Sequence, residues 1–359
     1  VKSTIDFVLP NNFVLYLPKD IVAGDFYWME KIGDEVILKT FEDKRMLEFC
    51  TPLLFGSSKV ISTHKKILNI ETNIHDIKSI DQIKEGQINL LTIWNEDVTL
   101  ELGNATKTGG QYAFKSLNEA TKSLKRGDVD LLITAPINKE TIQSEEFNFS
   151  GHTEFLERNL EGESLMILMN DFLRIGLITG HIPISKIAES ITPELIESKV
   201  KILNNSLKQD FNINKPKIAV LGLNPHSGDN GVIGQEENEM IKPTITSIHE
   251  KGIFVYGPYA ADGFFGSEAY KQFDGVLAMY HDQGLAPFKA LTFGNGVNFT
   301  AGLSHVRTSP DHGTAFDISG KGKANSDSFK EAIFTGIKIF KNRNEYKELT
   351  QNVLKPKKQ

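Results

Sequence analysis

The sequence predicts an α/β fold on a largely parallel sheet, and three observations support this. Apolar runs of strand length alternate with amphipathic stretches at helical spacing from about residue 90 onward. No internal repeat or low-complexity linker breaks that alternation. Three of the apolar runs end on a histidine, and the carboxyl ends of strands are where ligands gather in open α/β sheets.

The elements follow in order. GGQYAFKSLNEATKSLK carries apolar residues at 114, 117, 120 and 124, one face of a helix. DLLITAP (130–136) is a buried strand closed by proline, and the runs within 165–180 make two more strands. PELIESKVKILNNSLKQ (193–209) is a helix with proline in its first turn. KIAVLGL (217–223) is a strand, EENEMIKPTITSIHEKG a helix interrupted by Pro243, and GVLAMY (275–280) a strand. SFKEAIFTGIKIF (328–340) closes the fold as a helix with apolar positions 329, 333, 337 and 340.

Composition narrows the function. A chain of 359 residues with 40% hydrophobic and 24% charged residues is an ordinary globular protein, long enough for two domains. Its net charge of −6 leaves no basic footprint for nucleic acid. Cys50 is the only cysteine, which excludes an intrachain disulfide and a thiolate metal cluster and suits a reducing cytosol. No run reaches the roughly 18 apolar residues of a membrane span, and the first twenty residues do not read as a signal peptide. The expected location is the cytoplasm.

The strand-end histidines are His181, His226 and His281, lying 45 and 55 residues apart. They are either ordinary loop residues or, converging on one cleft, a divalent-metal site with open positions for substrate. The spacing is not a zinc signature. Polar clusters stand at other strand ends. SGHTEFLE presents His152 and Thr153 at a helix start, where Thr153 either offers an anion site or merely caps the helix with His152 solvated. Lys289, Asn298 and Arg307 suit phosphate or carboxylate if they meet in a cleft and are surface residues if they do not. DHGTAFDISGKGKAN (311–325) is neither a dinucleotide fingerprint nor a P-loop; it is a polar loop suited to wrapping a polar ligand.

The motifs TAPINKE, GHTEF, HIP, LNPHSGDNG, GPYAADGFF, YHDQGLAPFKAL and GVNFTAGLSHVRTSPDHGTAFDISGKG occur in order between about residues 35 and 345. Together they resemble the 4-hydroxythreonine-4-phosphate dehydrogenase family of pyridoxal phosphate biosynthesis. HGTAFDISGKGKAN also resembles the adenosine-binding loop of isopropylmalate and isocitrate dehydrogenases. The resemblance implies a two-domain fold of that kind with the active cleft between domains. Residues 35–150 and 286–359 would form a discontinuous cofactor-side domain, and 151–285 a metal and dimerisation domain. It implies metal ligation by His181, His226 and His281 (zinc, cobalt or magnesium), in a site shared across a homodimer. Substrate contacts fall on His152, Thr153, Lys289, Asn298 and Arg307, and NAD contacts on His312, Gly313, Thr314, Asp317, Gly320 and Asn325.

The implied reaction is NAD-dependent oxidation of 4-phosphooxy-L-threonine followed by loss of CO₂. Lys289 handles developing charge, and Asp262 or Asp282 moves a proton or orients an imidazole. A related four-carbon phosphorylated acid, such as threonate or erythronate 4-phosphate, is the alternative substrate. A catalytically impaired remnant is the non-enzymatic alternative.

The beginning departs from this pattern. The family's usual first strand and glycine-rich turn are absent, and the helix within 35–60 follows a different segment, VKSTIDFVLPNNFVLYLPKDIVAGDFYWMEKIGD. That segment resembles the early strands of PPM-type (sporulation-E-like) serine phosphatases, in which the aspartate matching Asp25 binds metal. Residues 1–34 are therefore expected to derive from a fusion, truncation or assembly event, with FVLYL (13–17) replacing the missing strand.

Overall fold

The computed structural model describes residues 32–98, 101–293 and 296–351. The phosphatase-like segment, Asp25 and FVLYL lie outside the described residues. The fold is α/β with two sheets. One has three parallel strands in the order β1–β3–β2, from β1 (Leu53–Gly56), β2 (Ile74–Ile77) and β3 (Ile88–Thr92). The other has eight, from β4 (Leu131–Ile133), β5 (Gly162–Met169), β6 (Arg174–Leu177), β7 (Ile218–Leu221), β8 (Val255–Tyr259), β9 (Gly275–Ala278), β10 (Val297–Leu303) and β11 (Val306–Pro310). Their order is β4–β11–β10–β5–β6–β9–β7–β8.

This larger sheet is mixed, not largely parallel. β4 runs parallel to β11, and β6, β9, β7 and β8 run parallel to one another. Between these groups β10 is antiparallel to both β11 and β5, and β5 to β6. Two tight turns impose the reversals. Asn170 Oδ1 accepts the Phe172 and Leu173 N–H groups at the β5–β6 turn, and Ser304–His305 alone join β10 to β11.

Helix Lys107–Arg126 is capped by Thr106, whose hydroxyl accepts the Gly109 N–H, and buries Leu117, Ala120 and Leu124 of the expected stripe, with Ala113 buried beside a half-buried Phe114. Helix Pro193–Gln209 starts with Thr192 as cap and proline at its first position. The expected helix within 35–60 is divided. It runs from Ile32 to Glu42, Asp43 then accepts the Arg45 N–H and begins a short 3₁₀ turn, and β1 follows Pro52. Among the described residues no helix is long and apolar enough to cross a membrane.

Two features position the site. β6, β9 and β7, the strands that end on His181, His281 and His226, lie side by side and parallel. Helix His281–Thr292 sits tight on them because residue 284 is glycine: a Cβ there would stand 2.8 Å from Ile175 Cγ2. On the other side, buried Glu35 accepts the Ala324 N–H, and Lys39 donates to the Gly322 and Ala324 carbonyls. These bonds fasten the 311–325 loop to helix Ile32–Glu42.

Candidate active site

A cleft of about 280 Å³ opens among the ends of β4, β6, β9 and β11. Its floor carries Arg307, 3% exposed, on β11. The Arg307 Nε and Nη2 donate to the Thr134 hydroxyl and Nη1 to that of Thr300. The two hydroxyls orient the guanidinium, a group whose planar fork matches phosphate and carboxylate oxygens. His152 opens helix His152–Asn159 above this floor. Burial, then the charges of Arg307 and Lys139, hold its pKa well below the usual value, so the imidazole is neutral. The cap of that helix is Gly151, not Thr153, which stands in the first turn and lines the cleft. His152 is buried, not solvated.

Lys289 and Lys139 also line the cleft, beside the carboxylates of Asp311 and Glu154. Burial lowers the Lys139 pKa against the pull of Glu154. Lys289 Nζ lies 3.2 Å from Asp311 Oδ1, and burial raises the Asp311 carboxyl against the pull of Lys289. Asn298, on β10, lines the same wall.

His181 and His281 stand at the rim with ring centroids 5.3 Å apart. Each ring has a carboxylate at Nδ1: Glu154 Oε1 at 3.3 Å from His181 and Asp282 Oδ1 at 2.7 Å from His281. A carboxylate can only accept, so Nδ1 is the donor, and in the neutral ring that leaves the lone pair on Nε2 for a ligand. Burial pushes the Glu154 carboxyl up, but the bond to His181 and nearby positive charge outweigh it and leave its pKa lowered. This donor pair fits a divalent ion. It is not a complete site, since no three metal-ligating side chains meet among the described residues.

His226 is exposed and does not line the cleft. It sits in the turn Pro225–Gly231, where residues 226 to 230 all adopt left-handed backbone angles. That conformation costs roughly 1–2 kcal/mol per non-glycine residue. Asp262 is exposed in helix Ala261–Gly266, which packs against this turn and not against the cleft. Asp282 touches His281 and does not reach the cleft itself. Of the residues expected to hold the cofactor, His312 and Gly313 line the cleft. Thr314, Asp317, Gly320 and Asn325 lie further along the loop, Gly320 against Leu102 and Asn325 accepting the Asp327 N–H.

Sequence reasoning missed Glu154 and Lys139 as members of the site, whereas Asp311 opens the loop it expected to wrap a polar ligand. Lys139 lay in a motif already singled out, and Glu154 stands two residues after His152 in GHTEF. Three buried polar atoms on the cleft lining have no hydrogen-bond partner among the described residues: Glu154 Oε2, Asn298 Oδ1 and His312 Nε2. Such atoms mark where a polar ligand makes the missing bonds.

Residues 48–336 match the model of the family described as pyridoxal phosphate biosynthetic protein PdxA. The chain is 50% identical to a 4-hydroxythreonine-4-phosphate dehydrogenase of Bacteroides thetaiotaomicron over 337 residues, 93% of this chain and 92% of that relative. It is 41% identical to the enzyme of the same name from a Sulfurihydrogenibium species over 309 residues, 85% and 94% of the two chains. Its fold is similar to the crystal structure of 4-hydroxythreonine-4-phosphate dehydrogenase from Klebsiella pneumoniae, with a TM-score of 0.77 at 31% identity over 89% of this chain and 98% of that one. A terephthalate 1,2-cis-dihydrodiol dehydrogenase from Burkholderia xenovorans shares the fold at 22% identity, with a TM-score of 0.59 over 89% and 98% of the chains.

Proposed function

The chain belongs to the pyridoxal phosphate biosynthetic protein PdxA family, a family of dehydrogenases, and from that premise we propose that it oxidises and decarboxylates 4-phosphooxy-L-threonine to 3-amino-2-oxopropyl phosphate with NAD⁺ as acceptor. One observation carries the reading to this chain. A buried arginine, two lysines and a helix start share a single cleft with two imidazoles held by carboxylates. The first group suits a phosphate monoester, and the second suits the metal-assisted chemistry of a hydroxyl a few bonds away.

The phosphate is bound by Arg307, fixed in its fork by Thr134 and Thr300, with Lys289 and Asn298 on the adjoining walls. The first turn of helix His152–Asn159 adds N–H donors, the Thr153 hydroxyl and the neutral His152 ring. Leu168, Met166 and Leu285 supply apolar lining that excludes water from the reacting carbons.

His181 and His281, with His226 of the partner subunit, would hold a divalent ion, and imidazole donors favour zinc or cobalt over magnesium. When bound, the ion supplies Lewis acidity at the C3 hydroxyl and at the charge left by departing CO₂, and NAD⁺ supplies the hydride acceptor. Glu154 and Asp282 keep both rings in one tautomer. Lys289, oriented by Asp311 at 3.2 Å, delivers a proton to the carbon that loses CO₂. His312 to Asn325 lead from the cleft toward helix Ile32–Glu42, a course suited to the far end of an extended cofactor.

A homodimer accounts for the position of His226. Ile184 and Val232, 84% and 82% exposed, flank His181 and His226, a placement suited to a second copy of the chain. The test is NADH absorbance on incubating the purified protein with zinc or cobalt, NAD⁺ and, in turn, 4-phosphooxy-L-threonine and the 4-phosphates of threonate and erythronate. NADH is expected from the threonine derivative. None from any of the three by a folded dimer rejects the enzyme reading, and a preference for an acid lacking the amino group reassigns the substrate.

A further inference from the structure

The turn that carries His226 is held by a residue with no place in the cleft. Glu237 is 2% exposed and follows the turn by six residues in chain order. Its Oε1 accepts the backbone N–H groups of Leu223 (2.8 Å) and Asn224 (2.7 Å), the two residues that lead into the turn. Its Oε2 accepts the Asn224 side-chain amide at 2.9 Å, and that amide also donates to Glu236.

The packing around it leaves little freedom. Residue 228 must be glycine for the turn to pass, since its φ is +76° and a Cβ there would stand 2.6 Å from Glu237 Oε2. Ser227 is tied down separately, its N–H to the Asn224 carbonyl and its hydroxyl to the Pro258 carbonyl. The base of the turn is also fastened to the other histidine station. Gln283, two residues after His281, accepts the Met279 N–H and donates to the Gly222 carbonyl at 2.6 Å. A run of five left-handed residues does not persist unless its surroundings over-determine it.

We infer that Glu237 is a positioning residue that clamps the left-handed turn and so presents His226 to the divalent ion. The inference rests on the proposed role of His226 as a ligand. A carboxylate suits the task because it accepts three bonds at once without offering a proton.

The test is titration of the metal-free, full-length dimer with Co²⁺, followed by visible absorption, alongside the melting temperature. Glu237→Gln keeps one acceptor oxygen and is expected to fold with a melting temperature within a few degrees of wild type. It is expected to bind Co²⁺ about tenfold more weakly with an altered spectrum, the scale of losses on disturbing groups that orient metal ligands. Asn224→Ala, which leaves the carboxylate in place, is expected to lose less, about two- to threefold. A lowered melting temperature with wild-type Co²⁺ affinity and spectrum in Glu237→Gln overturns the inference in favour of a purely structural role. His226→Ala separates the premise. Wild-type affinity in that variant removes the ligand reading and the inference together, whereas weak binding there with normal binding in Glu237→Gln overturns the inference alone.

Discussion

The two sides of the cleft are built differently. The floor, with Arg307, His152 and Thr134, is drawn from strands and a helix start, is buried, and is internally hydrogen-bonded within one chain. The rim, with His181, His281 and the distant His226, stands on loop ends and helix starts, is largely exposed, and brings only two of its three histidines together. Anion recognition draws strength from burial, because a desolvated guanidinium loses nothing further to solvent when phosphate arrives. A catalytic metal site needs open positions, which a fully buried cluster cannot offer. On the proposed function, the contrast teaches that one copy would hold a finished binding half and an unfinished reactive half.

Substitutions can break either side separately. The largest effect is expected at the rim: His281→Ala should abolish metal-dependent NADH formation while leaving the far-ultraviolet circular dichroism spectrum unchanged. On the floor, Arg307→Ala is expected to lower kcat/KM for the phosphorylated substrate by ~10²–10³, about 3–4 kcal/mol. Arg307→Lys should recover only part of this, since an ammonium cannot reproduce the fork bonded to Thr134 and Thr300. Steady-state kinetics on both variants checks the pair. Glu154→Gln sits where floor and rim meet, and its loss of the His181 partner is expected to weaken Co²⁺ binding by about tenfold with little change in melting temperature.

The smallest effect concerns acid. His152 is depressed in the folded state, whereas the unfolded chain titrates near 6.5. Below that pH the unfolded state takes up the proton first, so this residue makes stability fall as pH drops, by up to about 1.4 kcal/mol per pH unit. Urea unfolding as pH is lowered from neutral should therefore steepen for wild type and flatten for His152→Gln. Equal pH slopes in the two proteins would contradict the neutral, buried imidazole.

Much of this contrast can be read from the sequence, for identifiable reasons. Buried strands announce themselves as short apolar runs, so the three histidines that follow β6, β7 and β9 were recognisable as residues at equivalent ends. The antiparallel centre of the sheet was not, because it depends on two short turns whose geometry leaves little trace in hydrophobic pattern. Glu154 and Lys139 look like ordinary helix and loop charges until the fold brings them to His181 and His152. Nothing in LNPHSGDNG reveals five left-handed residues, although its two glycines, asparagines and aspartate all tolerate that region.

The division between a finished floor and an unfinished rim is tested most directly by mixing two defective copies. His181→Ala and His226→Ala homodimers should each be inactive, since each lacks one rim histidine in both sites. Dissociated and reassociated together, they form mixed dimers in which one site carries both lesions and the other carries neither. Random exchange then predicts recovery of about a quarter of wild-type NADH formation. Mixed dimers that form but recover no activity, or a His226→Ala homodimer as active as wild type, would contradict a rim completed by the second copy.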